Sequence, residues 1–299
     1  AKRALSLALN HVQGRSAFGL PLVQQPLMEN VLTDLCLTSE ACTLSAMRMA
    51  SAHARSTCGK RVGLSAEEVQ HETDVFRVGV AILKYHCTKA QPLFAYECME
   101  IFGGNGFTED FPIAKAFRHS PLNSIWEGSG NVMTLDVLRA SNSIPAFLKD
   151  MQSGAVGKDR YLDAYFEDLN KIMVYMNGLS PEEHAAGKGQ RMARFIVDRL
   201  AIGYQASLFL KYGNPDGKAA SAFIESRIRP AVNIHVNGGN GDDNTSISDF
   251  GNLGIGSNFG VNYGSSTVFD PSTARAIIEE SMPEFSSPQP ERVTWSQFL

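Results

Sequence analysis

Long apolar runs are missing from this chain of 299 residues: no stretch of eighteen or more consecutive apolar residues occurs, so no membrane-spanning helix is expected. The first residues, AKRALSLALNHVQGR, are interrupted by Asn10, His11 and Gln13 before a signal-like apolar segment can form. Cysteine is sparse. The five cysteines are odd in number and none shows CxxC spacing, which argues against a disulfide framework and against a zinc site. Free thiols fit an intracellular, reducing compartment, without separating cytoplasm, mitochondrion and peroxisome. A large charge of one sign is also missing, since a net charge of −4 does not suit a protein that covers itself with nucleic acid. The imbalance is local: from residue 228 onward three arginines stand against eight acids.

Alternating strand patterns are absent too, and helical periodicity takes their place. Leu5, Leu7, Ala8, Leu9 and Val12 form a stripe with no capping residue ahead of it, as if the chain began inside a helix. Gly14 to Pro26 (GRSAFGLPLVQQP) breaks that helix and sets Pro26 at the first turn of the next, which runs to about Thr57. Ser65 and Glu68 have capping-box spacing for a third helix, reaching about Phe102 through an expected kink at Pro92. Another helix is predicted over Gly128 to Ala140. Shorter ones follow over Ile144 to Met151, Asp159 to Met176 and Pro181 to Tyr212. Long helices joined by loops imply an all-α fold, an antiparallel helical bundle. Three parts are expected: residues 1–141, an additional helical region over 142–229, and a Gly/Asn-rich tail over 230–299. The tail is too poor in apolar residues to offset its ordering entropy and reads as mostly disordered, with a short helix at Pro271 to Met282. Its GGNGDDN does not recur at a nonapeptide period, so no metal site is expected.

Two glycine clusters stand near the middle of the sequence. GGNGF, starting at Gly103, follows a helix rather than a strand, so the dinucleotide fingerprint of a βαβ unit does not apply, and a helix C-cap with a tight turn explains it equally. EGSGN, starting at Glu127, opens a helix, where an acid is favoured by the macrodipole in any case. Next to Trp126, a buried Glu127 would have its pKa raised by desolvation, as a general base near neutral pH requires. Ser129 and Asn131 sit where free backbone N–H groups can hold an anion. Arg15 offers a guanidinium on a constrained loop, either for a phosphate or for a surface ion pair. Basic residues including Arg191, Arg194 and Arg199 gather further on, mixed with acids, as a solvated face or a nucleic-acid contact.

Taken together, RSAFG at Arg15 to Gly19, ECMEIFGGNGF at Glu97 to Phe107 and SIWEGSGNVMTLDVLR at Ser124 to Arg139 resemble the C-terminal helical domain of the acyl-CoA dehydrogenase family. NSIWEGSGN, the QQP after RSAFG, Pro92 and Glu100 are similar to its AidB-like, alkylation-response branch. The resemblance covers residues 1 to about 141. It implies noncovalent FAD at a subunit interface of a homo-oligomer, a homotetramer, with Arg15 and Phe18 on the diphosphate side and Gly103 and Gly104 against the adenosine part. Ser129 and Asn131 would also meet FAD, and Glu127 would be the catalytic base acting on an acyl-CoA. Glu100 stands where most members carry glutamine, and as a carboxylate near phosphate it is expected to point away. Members normally have N-terminal and middle domains as well, so this C-terminal portion is expected to be inactive alone. The alternative is a non-catalytic flavoprotein of the alkylation-damage response that contacts DNA through Arg191, Arg194 and Arg199.

Overall fold

The computed structural model describes residues 1–229 and 269–282. Its frame is an antiparallel bundle. Helix α1 (Lys2–Gly14) is followed by a small hairpin, β1 (Ser16–Ala17) with β2 (Leu20–Pro21), and a single 3-10 turn leads into α2 (Pro26–Cys58). Pro26 is the first helical residue, where a missing N–H costs nothing. The chain reverses at Gly63, whose φ of 85° is open to glycine without strain, and re-enters as α3 (Ala66–Glu100). Ser65 and Glu68 close the expected capping box, with Ser65 Oγ accepting from the Glu68 N–H at 3.2 Å and the Glu68 carboxylate accepting from the Ser65 N–H at 2.8 Å. Pro92 lies inside α3, which continues to Glu100.

Two further helices complete this part, α4 (Pro112–His119), which the sequence pattern did not reveal, and α5 (Gly130–Arg139). Beyond Ser141 come α6 (Ile144–Gln152), α7 (Arg160–Asn177), α8 (Pro181–Ala185), α9 (Lys188–Tyr212) and α10 (Lys218–Phe223), the last running into a π-helical turn at Ile224–Ile228. One continuous helix was expected over Pro181 to Tyr212. Instead it is divided at Gly187, which adopts φ 75° and ends α8 in a left-handed turn. The Ser180 and Glu183 capping box is present as the sequence predicts.

Helix α9 explains why the residues after Ser141 are not an appendage. From Leu200 to Phe209 every residue is buried, so this stretch has no polar face and must be surrounded. It packs against both α2 and α3, and Tyr204 stacks on Phe147 of α6 with ring centroids 4.3 Å apart. One hydrophobic core therefore runs from Ala4 to Ile278 and crosses residue 141 without a gap. Fully burying each large apolar side chain contributes about 1.5–3 kcal/mol, so α9 carries much of the bundle's cohesion.

A helix is also found at α11 (Pro271–Ser281), matching the expected one, with Asp270 as N-cap. The predicted disorder of the tail concerns residues 230–268 and 283–299, which lie outside the described residues. Helix α11 buries Ala274, Ile277 and Ile278 against the bundle, and Arg275 Nε reaches Glu29 of α2 at 3.1 Å. It also brings Glu280 towards Glu40 of α2. Burial, and then the Glu280 charge, push the Glu40 carboxyl up, with Lys2 only partly opposing them. Because the folded pKa is raised, the stabilising form is the protonated one: its contribution is complete below the unfolded carboxylate range and is lost as pH rises through the folded value. Glu40→Gln is accordingly expected to melt above the parent at pH 7, with the gap closing as the buffer approaches about pH 4. Thermal melts at the two pH values check this, and equal melting temperatures at pH 7 would refute it.

Candidate functional site

The first motif forms one end of the bundle. Arg15 leaves α1 in extended conformation, and the hairpin pairs Ser16 with Pro21 and Ala17 with Leu20. Its two-residue loop is Phe18 at φ 54° and Gly19 at φ 84°, both positive, the dihedral pattern that matches strand twist. Gln25 Nε2 donates to the Ala17 carbonyl at 2.9 Å and fixes the loop to the start of α2. The Phe18 ring is 99 % exposed, and Arg15 has no ion-pair partner among the described residues. A phenylalanine held left-handed with its ring in solvent costs of order 1–3 kcal/mol and gains nothing within this chain, which points to something it meets outside.

The second motif lies at the same end. His11 of α1 stacks on Phe102 with centroids 4.3 Å apart, and Phe102 leads directly into the 3-10 turn Gly103–Phe107. Burial, then the neighbouring Arg15 charge, hold His11 below its ordinary value, so a neutral imidazole is favoured in the stack. Gly103, at φ 62°, and Gly104 are exposed, with open space where a side chain would be. Gly106 is needed for another reason. A Cβ there would lie 2.1 Å from the Met99 carbonyl oxygen, so only glycine lets the turn fold back on α3. Glu100 is exposed, as a carboxylate that must avoid a phosphate would be.

The third motif stands elsewhere. Residues 127 and 128 form a turn ahead of α5 with φ 53° at Glu127 and 110° at Gly128. Lys84 of α3 clamps it, its Nζ donating to the Trp126 carbonyl at 2.9 Å and also to the Gly128 carbonyl. The Glu127 carbonyl lies between the two that Lys84 holds, so the turn is fixed from both sides. Gly130 allows α5 to approach α3, since a Cβ would meet Lys89 Cε at 2.7 Å and the Tyr85 ring at 3.3 Å. Ser129 is the N-cap of α5 and its hydroxyl makes no capping bond, while Asn131 Oδ1 accepts from Arg194 Nε at 2.9 Å. The Glu127 side chain is exposed and Trp126 is 54 % exposed, so the described residues do not supply the burial considered for the pair.

The structure thus joins Arg15, Phe18, Gly103 and Gly104 at one end and places Glu127, Ser129 and Asn131 at another. Lys84 precedes Glu100 by sixteen residues on α3, about 24 Å along its axis. Lys84 was not anticipated as a site residue, and Arg194 was anticipated only as a nucleic-acid contact. The available signal for Lys84 was a cation closing the apolar run Val78 to Leu83.

The basic residues proposed to touch DNA need correction. Arg199 is 1 % exposed, wedged between the rings of Phe195 and Tyr165 at 5.1 and 5.4 Å, and cannot reach a nucleic acid. Arg194 is exposed, but its Nε donates to Asn131 and it lies 6.0 Å from the Tyr85 ring, which leaves Arg191 as the exposed member of the three without such a tie among the described residues. Two exposed cations, one of them engaged, do not make a phosphate-tracking surface.

Comparison with known proteins agrees with the motifs. Residues 1–141 match the family model described as acyl-CoA dehydrogenase, C-terminal domain. AidB of Escherichia coli (strain K12) is 34% identical over 218 residues, which cover 72% of this chain and 36% of the relative. A solved structure of ACDH-11 from Caenorhabditis elegans in complex with C11-CoA superposes with a TM-score of 0.58 at 20% identity, covering 95% of this chain and 45% of that one. An acyl-CoA dehydrogenase from Bacillus anthracis complexed with FAD gives 0.64 at 19% identity, covering 94% and 53%. The chain therefore spans about a third of AidB and about half of each solved relative, whose likeness at these identities concerns the fold. Through the three motifs and the helical frame that carries them, residues 1–141 are identified as a C-terminal helical domain of the acyl-CoA dehydrogenase family.

Proposed function

We propose that this chain supplies the base and part of the cofactor contacts of an FAD-dependent oxidoreductase acting on the CH–CH group of acyl-CoA thioesters, assembled as a homotetramer. The observation that carries the reading is the clamped turn at Glu127, a non-glycine residue at φ 53° whose flanking carbonyls both accept from Lys84. Such a turn holds a carboxylate in one place at a cost that folding alone does not require. Glu127 removes the proton from the α-carbon of the thioester, and the electrons of that C–H bond form the new double bond. FAD, when bound, would supply the acceptor for the hydride leaving the β-carbon, so that the acyl-CoA would become a 2,3-enoyl-CoA.

The residues at the hairpin end fit the cofactor's phosphates. Among the described residues Arg15 is a guanidinium without an ion-pair partner beside an outward ring, and bare backbone at Gly103 and Gly104 allows close approach. Arg15 and Phe18 hold the diphosphate side, Gly103 and Gly104 face the adenosine part, and Ser129 with Asn131 meet a different copy of the cofactor some 24 Å away along α3. Two separated half-sites in one chain need neighbours to complete them, and the outward rings of Phe18, Phe107 and Trp126, 99, 83 and 54 % exposed, support burial against further copies. The walls that enclose Glu127 come from outside the described residues, so the chain by itself turns over no acyl-CoA.

The test is a titration of FAD into the purified chain, read by flavin fluorescence and anisotropy, with light scattering for the assembly. Arg15→Gln is expected to weaken binding about tenfold or more, since a charge-assisted hydrogen bond contributes about 1.5–3 kcal/mol. Unchanged affinity in the variant, or no flavin binding by the assembled chain, overturns the reading.

A further inference from the structure

A groove of about 550 Å³ opens between α5, α6, α7 and α9, on the opposite end of α5 from the Glu127 turn. On α5 its lining begins at Leu135, about 7.5 Å along the axis from Gly130, and reaches Arg139 at about 13.5 Å, and it includes no residue of the Glu127 turn. Its floor is apolar, built by Leu135, Leu148, Met173 and Ile196 from four different helices. Its rim is polar and consists of Arg139, Ser141, Asn177, His184 and Gln190. Among the described residues none of these five side chains has a hydrogen-bond or salt-bridge partner. Asp136, one turn before Arg139, is taken bidentately by Arg77 at 2.7 and 3.0 Å, so that the Arg139 charge acts on it only at a distance and makes no ion pair of its own among the described residues. No carboxylate lines the groove.

These features select a ligand chemistry. The volume suits a small molecule, and an apolar floor with a few convergent polar groups is the usual build of such a site. A guanidinium with no ion pair of its own among the described residues, neutral donors beside it, and the nearby acid Asp136 already held by Arg77, favours a negatively charged head. We propose that the groove binds an aliphatic monocarboxylate, its chain along Leu135, Leu148, Met173 and Ile196 and its carboxylate at Arg139, with Ser141, Asn177, His184 or Gln190 donating to the remaining lone pairs. The site is separate from the acyl-CoA reading above and stands or falls without it.

Dodecanoate is titrated into the full chain by isothermal calorimetry, alongside dodecanol and dodecyltrimethylammonium as neutral and cationic chains of the same length. Saturable one-to-one binding of dodecanoate is expected, with both control chains at least about tenfold weaker. Arg139→Gln should lose about tenfold for dodecanoate and nothing for dodecanol, because the exposed guanidinium contributes only through the head. Leu148→Trp fills the floor and should weaken both. Arg139→Gln sits on the surface and decides the matter even if Leu148→Trp misfolds, with circular dichroism confirming the fold of each. Absence of saturable binding, equal affinity for the three heads, or an Arg139→Gln variant that binds dodecanoate like the parent overturns the proposal.

Discussion

Glu127→Gln is expected to lower acyl-CoA-dependent flavin reduction by about 10²–10⁴-fold in the assembled, FAD-loaded enzyme, the range a positioned general base contributes. Stopped-flow decay of the flavin absorbance band measures it. Glutamine keeps the size and the hydrogen-bonding shape of the side chain but has no basic oxygen, so a loss of this size reports the missing base rather than a collapsed turn. The turn should survive, because Lys84 holds the carbonyls of Trp126 and Gly128 through hydrogen bonds that the substitution leaves in place, although it removes the Glu127 charge that acts on Lys84. FAD affinity should then stay within about twofold of the parent, since the charge-assisted contacts lie with Arg15 at the other end. A rate lowered only a few-fold would place the base on another residue. Parallel losses of rate and of flavin affinity would mean that the turn itself had been broken.

How far this site could be read from sequence depends on which physical signal each part carries. The helix boundaries at Pro26, Ser65 and Ser180 were legible because capping and proline rules act within four residues, and the structure bears them out. The break at Gly187 was not, since a single glycine in a helical pattern is often tolerated and only the backbone shows that it turned left-handed. Periodicity likewise suggested a solvated face for the arginines of α9. Arg199 lies inside because α9 is surrounded by α2, α3 and α7, and crowding by neighbours distant in sequence leaves no local trace. At the site itself, the glycines were legible as glycines, but what each one permits was not. Gly106 is required by a clash with the Met99 carbonyl, whereas Gly103 and Gly104 have open space, and no spacing rule separates those two cases. Lys84 was illegible for a similar reason: the turn it clamps begins 42 residues later.

Arg48→Ala is expected to be the most destabilising single change in the bundle outside the motifs, by about 3–5 kcal/mol. Arg48 is 8 % exposed on α2, and its guanidinium ties three helices: Nη1 to Glu72 of α3 at 2.8 Å, Nη2 to Asp150 of α6 at 2.8 Å, and Nε to the second Asp150 oxygen at 3.2 Å. Arg55 also reaches Glu72, at 2.8 Å, and Tyr204 of α9 donates to Asp150, so the cluster spans the centre of the fold. Replacing two charges by a hydrophobic pair can be nearly neutral, but removing the cation alone leaves two buried carboxylates with only Arg55 on Glu72 and Tyr204 on Asp150 to compensate them. At about 2–4 °C per kcal/mol for a chain above 150 residues, the melting temperature should fall by about 6–20 °C. The pH dependence gives a second reading. Burial works to raise the Asp150 carboxyl, yet the hydrogen bonds from Arg48 and Tyr204 outweigh it and hold the group below the usual carboxylate range. A depressed pKa contributes stability above the unfolded value that is lost as pH falls through the folded one, so the parent should weaken progressively on acidification. The variant has already lost that contribution, and its melting temperature should approach the parent's as the buffer is taken below about pH 4. A gap that stays constant with pH would mean that the loss came from the missing side-chain volume and not from the stranded charges.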